Sequence, residues 1–184
     1  MDQPAHVHDS AAIVRFWRDA GEQRWFRKDA DFDAEFDRRC RAAHEAAAAG
    51  ALDGWQRAPE PALALVLLLD QFPRNCFRGT PRVYATDAQA RAVTTAAIAA
   101  GFDQQTQPAL RAFFYLPFTH SEALADQDRA VELAARLPGN AHAHAIGHRE
   151  IVRRFGRFPH RNALLGRTST PEELIYLAAG GFAG

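Results

Sequence analysis

A chain of 184 residues is long enough for one buried core and lies within the size of a single domain, so one domain over residues 1–184 is expected. Its 22 basic and 22 acidic residues cancel, which excludes a global field that would draw it to nucleic acid or anionic lipid. The opening "MDQPAHVHDS" lacks the basic start and apolar centre of a signal peptide, no run reaches the roughly 20 apolar residues of a membrane span, and Cys40 and Cys76 are too few for a disulfide framework; a reducing cytoplasm is the expected setting.

Alanine is frequent and strand-like alternation is short, so the chain reads as all-α, with about eight helices joined by short loops as antiparallel hairpins. Ser10 caps a first helix carrying Ile13, Val14, Phe16 and Trp17, which Gly21 stops. A second fits Ala30 to Ala49, where Phe32, Phe36, Cys40, Ala43 and Ala47 recur every three or four positions. The third, near Pro59 to Phe72, is apolar all round and belongs in the middle of the domain. A buried strand is the rival reading of "PALALVLLLD"; the early prolines and the excess of Leu and Ala over Val favour helix.

Thr86 with Gln89 spells a capping box before the helix that Gly101 closes. Pro108 starts the next, with Leu110, Phe113 and Phe114 inward, and Pro117 ends it. Thr119 and Glu122 spell another box, Asn140 caps a helix that ends at Gly156, and Thr170-Pro171-Glu172-Glu173 opens the last one with cap, first-turn proline and acidic first turn together.

Two phrases, "LLLDQFPRN" and "FGRFPHRN", end 87 positions apart at Asn75 and Asn162. In both, a proline is expected to stop the preceding structure. Arg74 and Arg157 then suit the helix carbonyls left without partners. The surrounding polar groups suggest more: Asp70, Gln71, Arg74, Asn75 and Arg78 in the first turn, and Arg157, His160, Arg161, Asn162 and Arg167 in the second. If the turns meet, guanidinium forks and amides converge on a site for a carboxylate or phosphate.

The leading expectation is therefore a small anionic molecule bound by Gln71, Arg74, Asn75, Arg78, Arg157, Arg161, Asn162 and Arg167. His120 and His160 are the acid–base candidates because imidazole titrates near neutrality, and Asp70 orients a histidine or pairs with an arginine. His120, in "LPFTHSE", is expected at a helix start, where free amides attract anions. Ser121 is no nucleophile, since neighbouring helix side chains diverge and no G-x-S-x-G turn is present. Two other readings compete: helical hairpins presenting a surface to a peptide or protein partner, and a purely architectural hydrogen-bond network.

His144 and His148 have a spacing that two metal ligands share, with Glu122, His120 and His160 as possible partners in space, but there is no HExxH, and neither metal nor other cofactor is expected. His44 reads as a helix-surface or hydrogen-bonded group. Six arginines lie between Arg149 and Arg167 against one acid, Glu150, yet the chain carries a single lysine and the arginines spread over buried and exposed positions. Nucleic acid is not the expected partner.

The stretches "ALALVLLLDQFPRNCFRGTPRVYATD", "FFYLPFTHSE" and "FGRFPHRNALLGRTSTPEE", with the opening "IVRFWRDAGEQRWFRKDADFDAEF", resemble the bacterial domain-of-unknown-function family 924 over nearly the whole chain. The resemblance implies a tetratricopeptide-like helical fold and no settled activity. Two departures stand out: no repeat of about 34 residues is visible, and in "HAHAIGHRE" His148, Arg149 and Glu150 match the family's segment whereas His142 and His144 do not.

Overall fold

The structure is a computed structural model describing residues 8–184; the start of the N-terminal stretch read above for a signal peptide, residues 1–7, lies outside the described residues. Among these the chain is all-helical with no strand. The α-helices are α1 (Ser10–Ala20), α2 (Glu22–Trp25), α3 (Ala30–Ala48), α4 (Pro59–Val66), α5 (Phe72–Cys76), α6 (Asp87–Ala99), α7 (Phe102–Gln105), α8 (Pro108–Arg111), α9 (Leu116–Thr119), α10 (Leu124–Ala134), α11 (Ala141–Phe155) and α12 (Pro171–Ala178). A π-helical turn (Leu67–Gln71) joins α4 to α5, and 3-10 turns include Pro81–Tyr84 and Pro159–Arg161. No helix among the described residues is long and apolar enough to cross a membrane.

The apolar run forms the centre, as its composition demands. From Ala62 to Leu69 every residue is buried, and each leucine there contributes roughly 1.5–3 kcal/mol. α1 packs on α4, and α3 on the π turn and α5. Trp17, Phe32, Phe36 and Phe113 interlock between them, with Trp17 edge-on to Phe113 at 5.3 Å and tilted on Phe36 at 5.2 Å. Such pairs add shape-specific attraction to simple burial.

Several local expectations need correction. Asp9, one residue before Ser10, caps α1 by accepting from the Ala11 amide. Thr86 stands at the cap position of α6 with its hydroxyl turned elsewhere, and Gln89 reaches the Ala48 carbonyl. Pro117 does not end a helix but sits inside the first turn of α9. The Thr119–Glu122 box does not form, because Glu122 is drawn off by distant donors and α10 begins at Leu124. Asn140 holds the cap position of α11 without a side-chain bond. Only the Thr170–Glu173 box closes in both directions.

The largest correction concerns Pro73. It does not stop the preceding helix; the chain widens into the π turn and continues to Cys76. The Phe72 amide reaches back to the Leu67 carbonyl, and Pro73 has no N–H to offer, so the carbonyls of Leu68 and Leu69 each lose a backbone donor. Side chains replace it. His44 Nδ1 donates to Leu68 at 2.9 Å and the Thr86 hydroxyl to Leu69 at 2.5 Å, while Arg74 and Asn75 donate to the Asp70 and Gln71 carbonyls, both at 2.9 Å. The widened turn is thereby held on four sides, and Asp70 sits in it.

Candidate functional site

Asp70 has no exposed surface. A lone carboxylate could not stay ionised there, so its partners decide its state. His120 Nδ1 lies 2.8 Å from Oδ1, Arg74 Nη1 3.1 Å from the same oxygen, and Gln71 Nε2 donates to Oδ2 at 2.7 Å. Burial pushes the Asp70 pKa up, but Arg74 and His120 outweigh it and hold the carboxyl below its ordinary range.

His120 follows Thr119, the last residue of α9, at the C-terminal cap position and not at a helix start, so no array of free amides faces it. Two side chains fix that loop. Gln127, fully buried on α10, donates to the Thr119 and Ser121 carbonyls at 2.7 and 2.6 Å, and Arg161 Nη2 donates to the His120 carbonyl at 2.9 Å. Burial and the Arg74 charge depress the His120 pKa against the pull of Asp70, which leaves the imidazole neutral near pH 7. With an ionised carboxylate at Nδ1, the proton belongs on Nδ1, so Nε2 carries the lone pair. The side chain as a whole is 17% exposed.

The two Phe-Pro turns do meet, through Asp87 at the start of α6. Arg74 grips Asp87 with two nitrogens at 2.8 and 3.1 Å, and Arg161 Nη1 stands 3.9 Å from the same carboxylate. The two arginines nevertheless differ. Burial works against the Arg74 charge, but Asp70 and Asp87 more than offset it, and its pKa rises; for Arg161, burial and the neighbouring Arg74 charge prevail, and its pKa falls. Arg161 is packed with Tyr84 and Phe158, whose ring centres each lie 4.5 Å from its Cζ.

The remaining residues of the two phrases hold chain segments together. Arg78 bonds Asp33 and Asn75. Glu173, nearly buried, gathers Arg157 at 2.6 and 2.8 Å, Asn162 at 3.1 Å and the Thr170 amide. Glu122 takes the Phe158 amide at 2.7 Å and both Arg167 terminal nitrogens at 2.7 and 3.0 Å, while Arg167 Nε reaches Asn162. Hydrogen bonds from Arg157 hold the Glu173 pKa down to about 2.

His160 lies on the Pro159–Arg161 turn, where burial and Arg161 press its pKa down to about 4, and His148 is brought to about 4 by burial. Phe182 packs edge-on against both rings at 5.1 and 4.6 Å. Among the described residues no three His, Cys, Asp or Glu side chains are grouped to hold a metal ion. Sequence reading missed Tyr84, Asp87 and Gln127. "RVYATD" does carry Tyr84 and Asp87, but nothing along the chain links them to Arg161.

The profile of a family described as "Bacterial protein of unknown function (DUF924)" matches residues 13–181. A solved structure of a protein of unknown function from Agrobacterium tumefaciens is 56% identical, with a TM-score of 0.91 over 93% of this chain and 97% of that one. No curated protein matches the sequence.

Proposed function

The chain belongs to the DUF924 family of bacterial proteins of unknown function, and on its site geometry we propose that it binds a small anionic molecule beside Arg161 and moves a proton on it with His120. The observation that carries this reading is the Asp70–His120 pair, closed by a 2.8 Å contact between a fully buried carboxylate and Nδ1 of a ring that stays 17% exposed. A carboxylate that fixes the tautomer makes Nε2 a proton acceptor and stabilises the imidazolium that follows. Arg74 keeps Asp70 ionised, and Arg161 supplies positive charge whose facing carboxylate, Asp87 at 3.9 Å, is already bonded by Arg74. The π turn around Asp70 supports the assignment, since such interruptions recur at functional sites.

The residues named from the sequence divide accordingly. Asp70, His120, Arg161 and, behind them, Arg74 and Gln71 belong to the chemistry; His160 borders it. For Arg78, Arg157, Asn162 and Arg167 the architectural reading is favoured, because each is engaged by Asn75, Asp33, Glu122 or Glu173. A cytoplasmic setting is supported by the two free thiols, Cys40 and Cys76.

The test is nitrogen NMR of the histidine rings in the full-length protein, with and without acetate or inorganic phosphate. The expected result is His120 protonated on Nδ1 alone at neutral pH, with Nε2 shifting saturably on addition of at least one of the two anions. A His120 that carries its proton on Nε2, or that ignores both anions, would overturn the reading.

A further inference from the structure

Arg161 is 7% exposed, yet its hydrogen bonding is incomplete. Nη2 donates to the His120 carbonyl, and the Asp87 oxygen 3.9 Å from Nη1 is already bonded by Arg74. Nε is buried and has no partner. A buried guanidinium N–H of this kind calls for an acceptor that the chain does not supply.

The chemistry of that acceptor is constrained. Every guanidinium N–H points along the guanidinium plane, and Nε with Nη2 forms an edge that matches the two oxygens of a carboxylate. Tyr84 and Phe158 pack on the same guanidinium, which favours a flat group over a tetrahedral one. Charge points the same way. Arg74 and Arg161 already face Asp70 and Asp87, so one added negative charge is tolerated better than the two of a phosphate.

We propose that the Nε edge of Arg161 seats the carboxylate of a small monocarboxylic acid, whose remainder extends toward His120 Nε2. This rests on the anion-site reading above and narrows it to one substrate class. Arg161 then sets which molecules enter, and His120 acts on them.

The Nε–H resonance of Arg161, assigned by its through-bond correlation to the Arg161 backbone, reports on the seat directly in the full-length protein. Titrated with propionate, it should shift saturably, and inorganic phosphate at equal ionic strength should leave it in place. Arg161→Gln should weaken propionate binding at least about tenfold, the loss expected for one charge-assisted bidentate contact, and Arg157→Gln should leave it unchanged. Should Arg161→Gln fail to fold, the wild-type titrations still decide. A shift with phosphate but not propionate overturns the carboxylate seat and leaves the anion site standing. No shift with either, while His120 Nε2 still responds to an anion, means that Nε is satisfied by water only and again overturns the seat alone. Silence at both Arg161 and His120 overturns the anion-site reading itself.

Discussion

His120 and Asp70 stand fifty positions apart in sequence and 2.8 Å apart in space, and the contact closes on Nδ1, which leaves Nε2 outside the pair. Arg74, one helical turn beyond Asp70, keeps that carboxylate ionised. The pair is therefore set electrically as well as sterically, and its removal has separate effects on the ring and on the fold.

Asp70→Asn should destabilise the protein by about 3–5 kcal/mol, the range for breaking a buried ion pair. It should also lower the His120 pKa further, because the attraction of Asp70 is the main influence raising it. Urea unfolding and ring NMR check the two effects. An unchanged His120 titration would show that the pair has no electrostatic consequence.

Thr86→Val should cost about 1–3 kcal/mol by leaving the Leu69 carbonyl short of a donor. In a Pro73→Ala background the same change should cost less, since residue 73 then offers its own N–H. A double-mutant cycle by urea unfolding reads the difference. Additive costs would mean that Thr86 does not substitute for the missing backbone donor.

Glu173→Gln should lower the thermal midpoint by at least roughly 2–4 °C, equivalent to the loss of about one net hydrogen bond. Arg157, Asn162 and the Thr170 amide all converge on that carboxylate. Anion binding in this variant, measured on the His120 ring, should persist. A loss of binding at full stability would move Glu173 and Arg157 into the functional site.

Gln127→Leu should loosen the loop that carries His120, because the Thr119 and Ser121 carbonyls lose their shared donor. Hydrogen exchange at Ser121 and Glu122 should rise. Gln127→Glu, which keeps the shape but not the donors, should behave alike. Unchanged exchange in both variants would count against a positioning role.

Acid should weaken the fold in two stages. His148 and His160 have folded pKa values of about 4 against an ordinary value of about 6.5. The unfolded chain therefore takes up protons first, and stability complete above pH about 6.5 is lost as pH falls toward 4. Glu173, held to about 2, adds a second loss from about 4.5 downward. Thermal midpoints measured from pH 7.5 to 3 should trace both, and His148→Phe should flatten the first stage. A midpoint constant from pH 7 to 4.5 would refute the histidine part.

Periodicity and punctuation alone determined the all-helical class, the central place of the Pro59 to Phe72 run, the Gly101 and Gly156 helix ends and the Thr170 capping box. These depend on neighbours within one or two turns, where residue type has direct physical consequences. The doubled Phe-Pro phrase was legible as a polar concentration, and His120 and Asp70 as candidates. Their contact across fifty positions was not. Only the tertiary structure decided that Pro73 opens a π turn instead of ending a helix, because the donors that permit it come from His44 and Thr86 on other segments. It likewise decided that Arg74 and Arg161 share Asp87 while Arg157 and Arg167 are taken by Glu173 and Glu122. The charge on an arginine is fixed by its chemistry, but whether it is free to hold a ligand depends on the carboxylates that folding brings against it.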